Sequence, residues 1–319
     1  MTLKMLLRTL AALPLVLSAP VMAQSDAPLT LTVGFPPGGG VDALARLLAQ
    51  ELSPLLNRPV VVENRPGAGG TIAVDALTRV APDGNALLFT ETSALIAPHV
   101  FPKVNYNLVE QFDPVGMVGR SALAVAVPAD SPYKTLPDVL AAAKANPGKL
   151  SWASSGVGSQ HHLSGEWITT AANVKMQHVP YRGGAASAQD IASGQIPFGV
   201  VSLAAIRPHM DGGRARVLGV LTNERFPTVP NIPTVSETLP GVDSTPSLYI
   251  LAPKGTPKEV TQSVSQAMAK ALQSPKIAEA FAAQGSVVQY MPPAELQAWM
   301  KSEEARWVKV INDANLTFE

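Results

Sequence analysis

The chain has 319 residues, 24 Lys+Arg against 24 Asp+Glu, no cysteine and 46% hydrophobic residues. Balanced charge leaves no basic stripe for a nucleic-acid backbone, and zero cysteines exclude disulfides, so stability has to come from core burial. The length exceeds what one core usually holds, which favours two lobes.

Residues 1–23 have the layout of a secretory signal peptide. Lys4 and Arg8 precede an apolar run from Leu10 to Leu17, and Val21-Met22-Ala23 forms a small-residue cleavage site before Gln24. The apolar run is too short to span a bilayer. Cleavage removes two cations and no acid, so 22 basic residues face 24 acidic ones and the net charge becomes about −2. An exported, soluble chain is expected.

Leu31 to Phe35 and Val60 to Glu63 are short apolar or β-branched runs closed by Gly or Pro, the pattern of buried parallel strands. Between them Val41, Leu44, Ala45, Leu47, Leu48, Leu52 and Leu55 recur at helical spacing behind Asp42. A second helix is predicted from Thr71 to Val80, stopped by Ala81-Pro82-Asp83-Gly84, and a third strand from Ala86 to Phe89. Strands alternating with helices predict α/β architecture with right-handed crossovers.

Apolar runs from Leu123 to Val127 and from Leu248 to Ala252, each followed by proline, bracket a segment where the pattern restarts. It predicts strands at Leu150 to Ser154, His178 to Tyr181, Phe198 to Val201 and Val217 to Leu221. Helices are predicted at His162 to Ala172 and Ala185 to Ser193. The remainder is predicted helical over Pro257 to Leu272, Pro275 to Ala283 and Pro292 to Ile311, each opening on a proline. One lobe would therefore hold 24–124 with 248–319, the other 125–247, with two hinge connections and a ligand cleft between them.

Four strand-to-helix loops are the candidate site. In the first, Pro37, Gly38, Gly39 and Gly40 bring free backbone N–H groups to a helix start beside Asp42, an arrangement that suits an anion or simply makes a tight turn. The loop also contains Gly38-x-Gly40-x-x-Ala43, with Glu63 at the end of the next strand, a permitted dinucleotide fingerprint. Export argues against that cofactor, and no cofactor or metal is expected. In the second loop, Arg65 could meet a carboxylate or pair locally with Glu63.

The third loop offers Ser155, Gly156, Gly158 and Ser159, with His162 three residues on. It suits a ligand oxyanion, or a Ser159–His162 nucleophile pair in an exported hydrolase, although Gly-x-Ser-x-Gly is absent. Tyr181 in the fourth loop either lids a ligand or packs at its strand end. Glu91, with Thr92 beside it, is either solvated or selects a hydrogen-bond donor on the ligand.

The segments FPPGGGVDALARLLAQELS, VVVENRPGAGGTIAVDAL, APDGNALLF, SSGVGSQHHLSGE, HVPYRGGAASAQDIASGQI and RPHMDGGRARVLGVL occur in order along nearly the whole mature chain. Together they resemble the periplasmic receptors of tripartite tricarboxylate transporters, the Bug or TctC type. The resemblance implies a two-lobed α/β periplasmic binding protein of the type II-like Venus-flytrap kind, each lobe a mainly parallel sheet flanked by helices. It implies a monomer that takes a small carboxylate in the periplasm, performs no catalysis and delivers the ligand to membrane permease subunits. A sensor subunit with the same fold remains the alternative.

The family holds carboxylates by backbone groups, hydroxyls and water from the first and third loops, which carries over to Pro37 through Asp42 and Ser155 through Ser159. Many relatives have an Asp-Asn pair where this chain has Val201-Ser202. Replacing the acid by Val201 argues against an amino group on the ligand and for an apolar or aromatic body. Trp152 could add a ring face, or belong to the core.

Overall fold

The structure, a computed structural model, describes residues 27–38, 40–314, 316 and 318. The expected signal peptide and Gly39 lie outside the described residues.

Strand β1 (Leu29–Val33) lies in parallel between β2 (Val60–Asn64) and β3 (Ala86–Glu91). Helices α1 (Gly40–Leu56) and α2 (Thr71–Leu77) make the crossovers. Leu44, Leu48 and Leu52 of α1 share one buried cluster with Leu29, Leu31 and Val33 of β1, as their spacing predicts. β1 ends two residues before the apolar run does. A Cβ on Gly34 would lie 2.7 Å from Gly70 Cα, so the backbones of the first two loops meet there and the strand stops. After β3 come α3 (Thr92–Val100), a one-turn α4 (Leu108–Gln111) and β4 (Phe112–Ser121).

The second sheet opens with β5 (Leu123–Pro128). α5 (Leu136–Ala145), β6 (Ser151–Ser154), α6 (Gln160–Ala171), β7 (Gln177–Pro180), α7 (Gly184–Ala192), β8 (Gly199–Ser202), α8 (Leu203–Asp211) and β9 (Ala215–Val220) follow. The chain then returns through β10 (Ser247–Pro253) to the first sheet. There it adds α9 (Lys258–Ala271), α10 (Pro275–Ala283), β11 (Ser286–Met291) and α11 (Pro293–Asp313). Strand orders are β11-β4-β10-β3-β1-β2 and β7-β6-β8-β5-β9. Leu123 and Ala124, expected in the first lobe, belong to the second sheet, and Ser247 belongs to the first.

Both sheets are mixed, which corrects the expectation of mainly parallel ones. β10 pairs antiparallel with β3 and β4, and β11 with β4; in the second sheet β5 pairs antiparallel with β8 and β9. The reason is connectivity: a strand leaving one sheet for the other is met by the strand that brings the chain back. β4 has no counterpart in the expectations because Pro114, Gly116 and Gly119 interrupt its pattern. Those glycines have a packing role. A Cβ on Gly119 would meet the Phe281 ring of α10, and one on Gly116 would collide with Met268 of α9. β11 is a half-buried edge strand in the gap between the helices expected at Pro275 to Ala283 and Pro292 to Ile311, where no strand was expected.

The two connections between lobes run side by side, with Ser121 N donating to Pro246 O at 2.9 Å. To one side, α3, α6 and α11 close a seam. Ile96 and Val100 of α3, Leu163 of α6, and Trp307 and Ile311 of α11 form one buried cluster.

Candidate functional site

Parallel strands end at the same edge of their sheet, and each following helix starts there with free N–H groups. In the first lobe this edge presents Phe35 beyond β1, Gly69 beyond β2, and Glu91 and Ser93 at the β3–α3 junction. In the second lobe it presents Ser155 through Gln160 between β6 and α6, Gly183-Gly184 at the start of α7, and Ser202 at the end of β8. All of them line one cavity of about 1090 Å³. Ser121, Leu123 and Pro246 bring the two connections into its wall, and Phe101 and Phe318 add apolar surface.

The Ser155–Ser159 loop is held from within. Ser159 Oγ caps α6, accepting from His162 N at 3.2 Å and donating to Gly156 O at 2.7 Å. Gly156 and Gly158 take φ of 135° and 70°, which disfavour any side chain. Gly158 N donates to His162 Nδ1 at 3.0 Å, and the His162 ring stacks on His178 with centroids 3.7 Å apart. His178 Nε2 in turn lies 2.7 Å from Ser154 Oγ. Burial, with His162 beside it, pushes the His178 pKa down to about 4. His162 therefore supports the loop from below, off the cavity lining. Because Ser159 bonds to backbone groups and His162 Nδ1 faces Gly158 N, the Ser159–His162 nucleophile pair does not form. The hydrolase reading built on that pair is corrected accordingly.

Of the other candidates, Ser155, Gly156, Gly158, Ser159, Ser202 and Glu91 reach the cavity. The first loop contributes Phe35 in place of Pro37, Gly38, Gly40 or Asp42. The buried Asp42 carboxylate explains this turn. It accepts from Gly38 N at 2.8 Å, Arg46 Nε at 2.9 Å and Asn64 Nδ2 at 2.7 Å, and so closes the loop on itself. Burial raises the Asp42 pKa, and these bonds outweigh that and hold it below the usual range.

Arg65 pairs with Glu63 at 2.9 Å. Tyr181 Oη donates to Asp190 at 2.9 Å. Thr92 is buried, with its Oγ1 accepting from Ser247 N at 2.9 Å. Val201 and Trp152 are fully buried in the second lobe's apolar clusters, so neither ring nor branched side chain faces the cavity.

Pattern reading does not single out Phe35, Phe101, Phe318 or Ser93, and takes His161 only with His162, as a metal pair that their adjacency disfavours; Phe35, Phe101, Phe318, Ser93 and His161 all line the cavity. His161 is the most informative of these. Its Nδ1 lies 2.7 Å from Ser155 Oγ, and its Nε2 is buried without a hydrogen-bond partner among the described residues. Burial pushes its pKa down to about 4, so the ring is neutral near pH 7. A buried orphan nitrogen beside a cavity is an unmet demand for a partner. Among the described residues, no group of three or more His, Asp or Glu is arranged to hold a metal ion.

A family model described as tripartite tricarboxylate transporter family receptor matches residues 44–316. BugT of Bordetella pertussis is 33% identical over 302 residues, spanning 93% of this chain and 93% of its own length. Two solved structures from Rhodopseudomonas palustris share the fold. Rpa4515, with adipate, has TM-score 0.80 and 30% identity, covering 91% of this chain and 98% of its own. MatC, with bound malate, has TM-score 0.78 and 27% identity, covering 92% and 100%.

Proposed function

The chain belongs to the tripartite tricarboxylate transporter receptor family, and from this premise we propose that it captures a small organic carboxylate between its lobes and delivers it to a membrane permease. Residues 1–23 export it to the periplasm, where it acts as a monomer without a cofactor and without catalysis of its own. One observation carries the reading: strand ends of both sheets converge on a single cavity lined by the Ser155–Ser159 loop. The free N–H groups in the first turn of α6, at Gln160 and His161, suit carboxylate oxygens, directly or through water. The structures with adipate and malate support the ligand class.

Within the site, His161 Nε2–H donates to the carboxylate while Ser155 Oγ fixes the ring through Nδ1. The Ser202 hydroxyl and the Gly184 N–H at the start of α7 complete the second lobe's donors. Phe35 and Phe101 give the ligand's body an apolar wall. The ligand is a di- or tricarboxylate or an aromatic acid without an amino group.

A thermal-shift and calorimetric screen of the mature chain over mono-, di-, tri- and aromatic carboxylates tests this. A true ligand at 100 times its Kd stabilises the fold by about 2.7 kcal/mol. His161→Phe should keep the fold and weaken binding about tenfold or more, as expected for a hydrogen bond to a charged group. Tight binding of aspartate or glutamate, with none of a dicarboxylate or aromatic acid, would overturn the reading.

A further inference from the structure

The cavity is chemically lopsided. Its second-lobe side is rich in donors. On the first-lobe side the acid among the residues lining the cavity is Glu91, at the junction of β3 and α3. Glu91 makes no ion pair among the described residues. Its Oε1 accepts a single hydrogen bond, from Ser93 Oγ at 3.0 Å. Lys103, a cation on the same cavity, is exposed, and His161 on the opposite lobe is neutral. Burial pushes the Glu91 carboxyl up.

A carboxyl group without a counter-ion tolerates an open, wet cleft because water satisfies its oxygens. When ligand displaces that water, any oxygen left unpaired costs the full desolvation of a polar group. A ligand that brings a donor to this spot avoids the cost. A second ligand carboxylate placed there meets the acid as a like charge.

Resting on the carboxylate-receptor reading above, we propose that Glu91 is a specificity-determining residue that reads a hydroxyl group on the ligand, so that the preferred substrates are hydroxy acids. The carboxylate meets the donors of the second lobe and the hydroxyl donates to Glu91 across the apolar body between them. This sharpens the amine-free class. A neutral hydroxyl serves a carboxyl that Ser93 already solvates, and needs no full positive charge in the cleft.

The test uses series matched in skeleton and differing at one end: hexanoate, 6-hydroxyhexanoate, 6-aminohexanoate and adipate, with benzoate, 4-hydroxybenzoate, 4-(aminomethyl)benzoate and terephthalate alongside. Calorimetry is run on the mature chain and on the Glu91→Leu and Glu91→Ala variants, with melting curves to establish that each variant is folded. The expected result is a hydroxy acid that binds at least tenfold tighter than its unsubstituted parent, with the gap shrinking below threefold in either variant. The proposal is overturned by carboxylates that bind with no hydroxyl preference, by a preference that survives both variants, or by a dicarboxylate or amino member ahead of the hydroxy one. If no carboxylate of any kind binds, it is the receptor reading that fails.

Discussion

His162 and His178 stack face to face beneath the Ser155–Ser159 loop, a contact that two imidazolium rings could not share without strong repulsion. The neutrality of His178 is therefore part of the fold. Unfolded, His178 binds its proton near 6.5; folded, it resists until about 4. Between those values the unfolded chain holds more protons, so the stability from neutral His178 is complete above about pH 6.5. It drains as pH falls toward 4, at up to ~1.4 kcal/mol per pH unit for this one group. Burial shifts His161 in the same direction and to a similar value. Replacing His178→Gln removes one of these two contributions. Urea midpoints for wild type and variant at pH 7.5, 5.5 and 4.5 should show the variant less stable at pH 7.5, with the gap narrowing on acidification. A gap that stays constant would mean that His178 titrates alike in the folded and unfolded chain.

Helix α6 carries the loop's cap at its first turn, and its position over the second sheet is set by a glycine. A Cβ on Gly165 would fall into the Trp152 ring, and Trp152 is itself fully buried. Two opposing effects decide the sign of a Gly165→Ala change. Helix propensity favours alanine by roughly 0.5–1 kcal/mol, whereas overpacking a rigid core costs about 1–3 kcal/mol. The steric term wins, because the aromatic ring has no free side to move into. A lower melting temperature is expected, with weaker ligand binding as α6 and its loop are pushed outward; an unchanged or raised melting temperature would contradict it. The same residue pairing shows how legible the elements were. Parallel strands and the helices after them announce themselves through apolar periodicity and Gly or Pro punctuation, and Leu44, Leu48 and Leu52 fall where that periodicity puts them. β4 was illegible because Gly116 and Gly119 answer to Met268 and Phe281, some 150 residues away in the chain. α5 was overlooked although Thr135 and Asp138 form a capping box at its start.

At the scale of the whole molecule, the site depends on how two lobes meet, which is where sequence pattern carries least. Ser155, Ser159, Ser202 and Glu91 could be picked out because each sits at a strand end or a helix start, the places a local pattern locates. Phe101 and Phe318 could not, since they reach the cavity from segments whose course is fixed by the α3, α6 and α11 seam. Phe101 matters for more than the lining. It comes from the first lobe, and its ring occupies the space above Gly158 of the second, where a Cβ would collide with it. It also lies 6.1 Å from the Phe318 ring. Phe101 thus bridges the lobes and favours their approach. Removing it in Phe101→Ala should shift the population toward separated lobes, and apparent affinity falls in proportion to the closed fraction that is lost. The expected signature has two parts, measured by small-angle scattering and calorimetry on the same protein. The ligand-free radius of gyration rises relative to wild type and returns to the wild-type liganded value at saturation, while the Kd increases about tenfold, equivalent to ~1.4 kcal/mol. A weaker Kd with an unchanged ligand-free radius would assign Phe101 to ligand contact alone. A lower melting temperature with neither change would reduce it to packing.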